Sequence, residues 1–288
     1  MGAFRLGSVT GPTGVGIAYR VSSGPADRPA LLLIHGWAQS QRCWGDALLD
    51  RLAADRTVIA MDMRGHGASS APPGDTARGE GFDEAAFASD VRAVLDAEAG
   101  PAGAILAGWS YGGLVACDHL AVHGTDGIAG LVLIGAITSL GRGLRGGTIG
   151  SAMRAALPDA LSDDPRTAVR ALGSFGTALV PAHAEGLGAT RQLLFGTSLA
   201  TPPAVRAGVF ARTVDHDAVL SSLPVPVLIV HGEDDTVVDV AAGRHAESLL
   251  PTVTAHYWSG EGHAPFLTDP DRFAGEFEAY AAEAVVPA

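Results

Sequence analysis

A short glycine-flanked motif has the spacing of an activated serine. Gly108, Ser110 and Gly112 form the pattern Gly-x-Ser-x-Gly, between an apolar run, Ala104–Gly108, and a helical run, Leu114–Val122. On such a strand-to-helix turn the serine is strained and its hydroxyl projects at the carboxyl end of the strand, while the glycines allow close packing. We therefore predict that Ser110 is a nucleophile.

A nucleophilic serine needs a base that accepts its proton. His263 is the predicted base, because it lies in a Gly-His-Ala-Pro-Phe loop between the last predicted strand and the last predicted helix. His35 and His231 end strands in His-Gly pairs and are predicted to be hydrogen-bonded turn residues, and His66 is predicted to be a polar loop residue. The remaining histidines have no motif around them: His119, His123, His183, His216, His245 and His256.

The base in turn needs a carboxylate that fixes its tautomer. Three acidic residues, Glu233, Asp234 and Asp235, come directly after a predicted strand. Asp235 is the predicted triad acid, Asp234 is the alternative, and Glu233 is expected to face solvent.

A tetrahedral intermediate also needs two backbone N–H donors for its oxyanion. Tyr111 follows the nucleophile at the start of a helix and supplies one predicted donor. Trp37 supplies the other, in a loop where the chain is expected to bend sharply at Gly36.

Apolar runs of strand length alternate with helical patterns, which is typical of a mostly parallel sheet flanked by helices. Each run is nearly continuous in Val, Ile and Leu, so all are predicted to be buried central strands. Apolar residues recur every three or four positions in 87–95 and 273–280, which predicts two amphipathic helices. The strand runs are Ala30–His35, Thr57–Asp62, Ala104–Gly108, Leu131–Gly135, Val225–His231 and Val253–Tyr257.

The stretch from Ala136 to Asp217 has no strand signal and contains two helix-start patterns, Asp164-Pro165 and Thr201-Pro202. We predict a helical cap at 136–218, inserted into a core formed by 1–135 and 219–288.

Composition excludes several classes of enzyme. All 19 basic residues are Arg, and neither Lys nor Asn occurs, which excludes Schiff-base lysine enzymes, Walker-A nucleotide binders, Ser-Lys hydrolases and Cys-His-Asn proteases. A net charge of −12 argues against nucleic acid or an anionic membrane as partner. No apolar run approaches the ~20 residues of a membrane span, and 1–10 has no apolar signal segment, so a cytoplasmic location is predicted. Cys43 and Cys117 are expected to be buried free thiols.

The chain resembles the α/β-hydrolase superfamily through four motifs in the same order: the strand and loop 31–37, the loop 62–69 (Asp-Met-Arg-Gly-His-Gly-Ala-Ser), the elbow 108–112, and the loop 262–266. The order Ser, Asp, His along the chain also matches. The resemblance implies an α/β-hydrolase fold with a cap over a Ser110, Asp235 and His263 triad. It also implies Trp37 and Tyr111 as oxyanion donors, with no cofactor and no metal.

Within the superfamily, Ser110 disfavours the dehalogenases and epoxide hydrolases, which carry Asp as nucleophile. The chain resembles small carboxylesterases. It also resembles cofactor-free haloperoxidases or perhydrolases, but Ala38 and Tyr111 differ from the residues that the motifs of that branch carry at these positions. We therefore predict a serine hydrolase that cleaves small-molecule carboxylic esters through an acyl-enzyme.

Acyl transfer to peroxide is the second candidate reaction for such a site. A lactone or a carrier-protein acyl ester is a further candidate substrate, since 137–218 has eight Arg against six acids. A non-hydrolysing ligand receptor on the same scaffold is a candidate from a different functional class.

Overall fold

The computed structural model describes residues 4–181 and 183–284, and an eight-stranded sheet forms its centre. The strand order is β1-β2-β4-β3-β5-β6-β9-β10, in which β2 runs antiparallel to both neighbours and the other pairs are parallel. A separate two-stranded sheet pairs β7 with β8. The strands are β1 (Arg5–Thr10), β2 (Gly16–Val21), β3 (Ala30–Ile34), β4 (Val58–Met61), β5 (Ala104–Trp109), β6 (Ile128–Ile134), β7 (Ser139–Leu140), β8 (Val214–Asp215), β9 (Val227–Gly232) and β10 (Val253–Trp258).

Helices connect and cover these strands, with α2 packed against α3 and α1 against α11. The prediction of a mostly parallel sheet flanked by helices is confirmed, and both amphipathic patterns lie on helices, α2 and α11. The helices are α1 (Asp46–Leu52), α2 (Glu84–Glu98), α3 (Tyr111–His123), α4 (Ser151–Ala160), α5 (Pro165–Leu179), α6 (Gly188–Ala200), α7 (Pro203–Gly208), α8 (Asp217–Ser221), α9 (Val240–Leu249), α10 (Pro265–Thr268) and α11 (Pro270–Ala284).

All six predicted strands are present, with ends displaced by at most three residues. One prediction about them is wrong: β10 is an edge strand with half-exposed residues, not a buried central one. Sequence reasoning also missed β1 and β2, whose alternating buried and exposed residues belong to the other edge of the sheet.

The predicted cap region contains α4 to α7. Among its described residues, 136–181 and 183–218, the prediction that it has no strand fails only at the two-residue strands β7 and β8. The first helix start is confirmed, because the Asp164 carboxylate accepts a hydrogen bond from the Thr167 N–H at 2.8 Å as α5 begins. The second helix start is displaced by one residue. Thr201 is the C-cap residue of α6, and α7 begins at Pro203, after Pro202. The boundaries of core and cap stay a prediction.

Two expectations about the chain as a whole can be compared with the described residues. Cys43 and Cys117 are both buried free thiols, as predicted. Across 4–181 and 183–284, no helix is both long and apolar enough to cross a membrane.

The turn between β5 and α3 packs closely against the end of β3. A Cβ atom at Gly112 would lie 2.1 Å from the carbonyl oxygen of Ile34, and one at Gly108 would lie 2.4 Å from the Gly112 backbone. The flanking glycines are therefore required by backbone contact, as the motif predicts.

We expect Gly112→Ala to lower the free energy of unfolding by at least about 2 kcal/mol, because its methyl group meets backbone that cannot rotate away. Urea unfolding measures this change. Gly275→Ala is the matched control, since Gly275 is an exposed glycine of α11 with open space at its Cβ position. The control should gain up to about 1 kcal/mol from helix propensity. Equal stability of both variants would contradict the packing argument.

Candidate active site

Ser110 lies between β5 and α3 in a conformation that few residues adopt. Its φ and ψ are 56° and −120°, and such strain costs about 1–3 kcal/mol unless the surroundings enforce it. Backbone hydrogen bonds do so: the Ser110 N–H donates to the Ile134 carbonyl, and its carbonyl accepts from Gly113 and Ile137. The strained turn predicted from the sequence is present.

His263 lies in the loop between β10 and α10, where the Trp109 indole N–H donates to its carbonyl oxygen at 2.9 Å. The imidazole Nδ1 lies 2.7 Å from Oδ2 of Asp235. Because an ionised carboxylate only accepts, Nδ1 carries the proton in the neutral ring, and Nε2 is left unprotonated. This is the tautomer that a general base at Nε2 requires.

Asp235 is held at both carboxylate oxygens. Oδ1 accepts from the N–H groups of Val237 and Val238 at 2.8 and 3.0 Å, and Oδ2 faces His263. Asp235 is 7% exposed, whereas both preceding acids are exposed. The geometry therefore favours Asp235 over the alternative, Asp234.

His231 also contacts the candidate acid, and sequence reasoning missed this contact. Its Nε2 lies 3.0 Å from the Val238 carbonyl oxygen and 3.3 Å from Oδ2 of Asp235. Both neighbours are acceptors, so Nε2 carries a proton and donates to them. The sequence predicted a hydrogen-bonded turn residue. His231 is hydrogen-bonded, but it lies within strand β9 and not in a turn.

The charge state of Asp235 follows from these contacts. Burial on its own raises the pKa of the carboxyl, but His263 and then His231 outweigh burial and lower the pKa from 3.8 to about 2. Asp235 is therefore ionised whenever His263 is able to act as a base.

The loop after β3 brings a second candidate oxyanion donor to the serine. A Cβ atom at Gly36 would lie 3.0 Å from the Cβ of Ser110, so Gly36 permits close approach. The predicted bend at Gly36 is wrong in detail, because the left-handed residue of this loop is Ala38, with φ 53°. Among the described residues, the Trp37 N–H meets no protein acceptor, and the Tyr111 N–H has none because it opens α3.

Ser110 and His263 line the same cavity, which contains about 490 Å³ of space between atoms, the open solvent at its mouth included. No Asp, Glu or Arg side chain of the described residues lines it, and half of its lining comes from the predicted cap. The site is thus a largely apolar chamber that contains the Ser110 hydroxyl and the His263 imidazole. The large apolar residues that the predicted cap region contributes are Ile137, Leu140, Ile149, Met153, Phe175, Leu179 and Phe210.

Two other motif histidines are structural. His35 accepts from the Met63 N–H at Nε2, at 3.0 Å, and its Nδ1 lies 2.8 Å from the Gly36 carbonyl oxygen. His66 is a loop residue, as predicted, but it is buried at 1% exposed, and burial lowers its pKa to about 3 and that of His35 to about 4. Both rings are therefore neutral near pH 7.

The loop that contains His66 holds the neighbouring chain segments of the site in place through hydrogen bonds. The Asp62 carboxylate accepts from the N–H groups of Gln41 and Ala68 at 2.7 and 2.9 Å, which ties this loop to the chain after Trp37. Arg64 forms a buried two-point ion pair with Asp90 on α2. This motif of the sequence therefore has a structural role.

Comparison with known proteins assigns the chain to a family. The sequence profile of the Alpha/beta hydrolase family matches residues 31–276. The chain belongs to this family. Esterase RhEst1 from Rhodococcus sp. ECU1013 has a similar structure, with a TM-score of 0.91 and 53% sequence identity, covering 97% of this chain and 99% of that one.

Curated relatives of this α/β-hydrolase are similar over most of their length. The pimeloyl-(acyl-carrier protein) methyl ester esterase of Vibrio vulnificus is 27% identical over 88% of this chain and 94% of the relative. The bifunctional esterase/perhydrolase DCH of Acinetobacter calcoaceticus is 32% identical over 84% of this chain and 87% of the relative. The prediction of a carboxylic ester hydrolase is confirmed.

One cluster of this α/β-hydrolase has the composition of a metal site. Ligand atoms of Glu84, Asp118 and His216 lie within 4.8 Å of one another. However, Oδ2 of Asp118 is already bonded to Arg212 at 2.7 Å, and a fixed cation there opposes a second one. The cluster is part of a hydrogen-bonded network in which Asp118 on α3 pairs with Arg212 and contacts His216.

The low pKa of Asp235 predicts a pH dependence of stability. Because the pKa is lower in the folded chain than in the unfolded one, ionisation of Asp235 stabilises the fold above pH 4, and this stabilisation is lost as the pH falls toward 2. Between pH 5 and pH 3 the wild type should lose about 1 kcal/mol more than Asp235→Asn. Urea unfolding at both pH values measures the difference, and an identical decline in both proteins would contradict it.

Proposed function

We propose that this hydrolase cleaves esters of small, uncharged carboxylic acids through an acyl-enzyme on Ser110. The observation that carries the proposal is that the strained Ser110 and His263 line one apolar cavity, with His263 hydrogen-bonded to Asp235. In its neutral form His263 has an unprotonated Nε2, which the role of general base requires.

In the proposed reaction, the Ser110 oxygen attacks the ester carbonyl while His263 takes its proton. Negative charge then develops on the carbonyl oxygen, and the N–H groups of Trp37 and Tyr111 stabilise it. Asp235 stabilises the imidazolium, which returns its proton to the leaving alcohol. In the second half, His263 takes a proton from water as the water oxygen attacks the acyl carbon. It returns that proton to the Ser110 oxygen as the acyl C–O bond breaks and the acid leaves.

The cavity supports a restricted class of substrate. A charged acyl chain would lose its hydration there without meeting an opposite charge, because neither Arg nor an acidic side chain of the described residues lines the space. An uncharged aliphatic or aromatic acyl group would instead contact Met153, Phe175 and Leu179. We therefore infer a preference for neutral acyl groups of modest size.

Transfer of the acyl group to peroxide is the second candidate, since a relative at 32% identity is named an esterase/perhydrolase. The acyl-enzyme would be the same, and hydrogen peroxide would replace water in the second step. Carrier-protein esters and lactones stay alternative substrates, and the esterase relatives disfavour a non-hydrolysing receptor role. The cytoplasmic location and the absence of membrane or nucleic-acid partners stay predictions.

We expect Ser110→Ala to lower kcat for p-nitrophenyl butyrate by at least about 10³-fold and to abolish labelling by a fluorophosphonate probe, because both need the hydroxyl. Ser248→Ala is the matched control, since its hydroxyl is bonded to the His245 carbonyl on α9, away from the cavity. A Ser110→Ala enzyme with full activity would overturn the proposed mechanism. Repeating the assays with hydrogen peroxide present measures peracid formation.

A second prediction concerns charge on the acyl chain. For two p-nitrophenyl esters of equal acyl length, one ending in a methyl group and one in a carboxylate, kcat/KM should be at least about 100-fold higher for the neutral ester. Steady-state kinetics at pH 7.5 measures the ratio. Comparable values would show that the acyl chain does not occupy the apolar cavity.

A further inference from the structure

The two candidate oxyanion donors share an unusual connection to the cap. The Trp37 indole N–H donates to the Arg206 carbonyl at 3.1 Å, and the Tyr111 hydroxyl donates to the Val209 carbonyl at 2.6 Å. The ring of Phe210 lies 5.5 Å from the ring of Trp37 and 5.9 Å from that of Tyr111. Both donor residues are thus attached through their side chains to residues 206–212, here called the 206–212 segment.

The start of this segment is fixed by a buried arginine without a carboxylate partner among the described residues. Arg206 is 2% exposed, and its guanidinium donates to the carbonyl groups of Ala160 and Thr201, at 2.9 and 2.5 Å. These carbonyls end α4 and α6, where helices leave acceptors unsatisfied. Arg206 therefore joins two cap helices to the carbonyl that receives the Trp37 indole.

The end of the segment is fixed to the core. Arg212 donates from Nη2 to Oδ2 of Asp118 at 2.7 Å and from Nε to the Tyr111 hydroxyl oxygen at 3.1 Å. Its guanidinium also lies over the rings of Phe87 and Tyr111, at 4.8 and 5.5 Å. Asp118 is fully buried on α3, the helix that starts at Tyr111. Arg212 therefore fixes the Tyr111 side chain between its own helix and the cap.

We propose that the 206–212 segment sets the position of both oxyanion donors, and that Arg212 is a positioning residue acting through the Tyr111 hydroxyl. The inference rests on the proposed function, because it assumes that the Trp37 and Tyr111 N–H groups bind the oxyanion. The cap then completes the oxyanion hole as well as enclosing the acyl group.

The physical reason is that oxyanion donors act over a narrow range of distance. A donor stabilises the oxyanion at about 2.7–3.1 Å, and deleting one donor costs about 10²–10³-fold in kcat. A small displacement of Tyr111 weakens the bond that forms in the transition state and hardly changes binding of the neutral ester. The proposal therefore predicts a loss in kcat at constant KM.

The first test uses Tyr111→Phe, which removes only the hydroxyl that joins Val209 and Arg212. We expect kcat for p-nitrophenyl butyrate to fall roughly tenfold, less than the loss of a whole donor, with KM within twofold of the wild type. Affinity for an alkyl trifluoromethyl ketone, whose adduct carries an oxyanion, should fall by a similar factor. Affinity for butyramide, a neutral carbonyl compound that forms no such adduct, should not change.

Tyr280→Phe is the matched control, because the Tyr280 hydroxyl is also buried and donates to a backbone carbonyl, that of Pro226, at 2.8 Å. It lies on α11, outside the cavity and the cap. Loss of a buried hydroxyl hydrogen bond destabilises both variants, whereas only Tyr111→Phe should change kcat and ketone affinity.

The second test uses Arg212→Lys, which keeps the positive charge beside Asp118 but cannot reproduce the planar two-point contact with Asp118 and Tyr111. We expect the same loss of kcat and ketone affinity as in Tyr111→Phe, and no further loss in the double variant. Additive losses in the double variant, or full activity in Arg212→Lys, would overturn the role of Arg212.

Failure of this inference is distinguishable from failure of the proposed function. If Tyr111→Phe keeps kcat and ketone affinity within twofold of the wild type, or raises KM instead, the inference is overturned while labelling of Ser110 by the fluorophosphonate still supports the mechanism. If Ser110→Ala retains activity and labelling, the proposed function itself fails. If Arg212→Lys does not fold, Tyr111→Phe decides alone.

Discussion

The first turn of α3 lies against the end of β3 so closely that no side chain fits between them. A Cβ atom on Gly112 would lie 2.1 Å from the Ile34 carbonyl oxygen. Backbone hydrogen bonds hold Ser110 at φ 56° on this turn, and a Cβ atom at Gly36 would lie 3.0 Å from the Cβ of Ser110. The positions of Ser110, the α3 N-terminus and the loop that carries Trp37 therefore depend on this close approach of two backbones.

Around that turn, hydrogen bonds fix the charge state of Asp235 and the tautomer of His263 that the proposed reaction needs. Asp235 receives two backbone N–H groups and two imidazoles, which keep it ionised although it is almost fully buried. His263 is thereby held in one tautomer within an apolar chamber, where electrostatic interactions are stronger than in water. The predicted cap supplies half of the residues that line that chamber, and the 206–212 segment connects it to both candidate oxyanion donors.

Local pattern was sufficient to predict six of the eight strands of the sheet, the elbow and the residues that the geometry brings together, because β-strand runs, Gly-x-Ser-x-Gly and the loop of His263 are each contained in a few adjacent residues. Long-range contacts were not readable. The hydrogen bond from Arg212 to Tyr111 depends on how distant segments pack, and the contact of His231 with Asp235, only four residues away, depends on the conformation of the turn after β9. The bend was predicted at Gly36, whereas the left-handed residue of this loop is Ala38.

The most direct measurement is a crystal structure of the enzyme inactivated by an alkyl fluorophosphonate, whose phosphoryl oxygen takes the place of the oxyanion. Our account predicts phosphorus bonded to Oγ of Ser110, with that oxygen about 3 Å from the backbone nitrogens of Trp37 and Tyr111. It also predicts that the bonds from both side chains to the 206–212 segment remain. Modification of another residue, or a phosphoryl oxygen that points away from these two nitrogens, would contradict it.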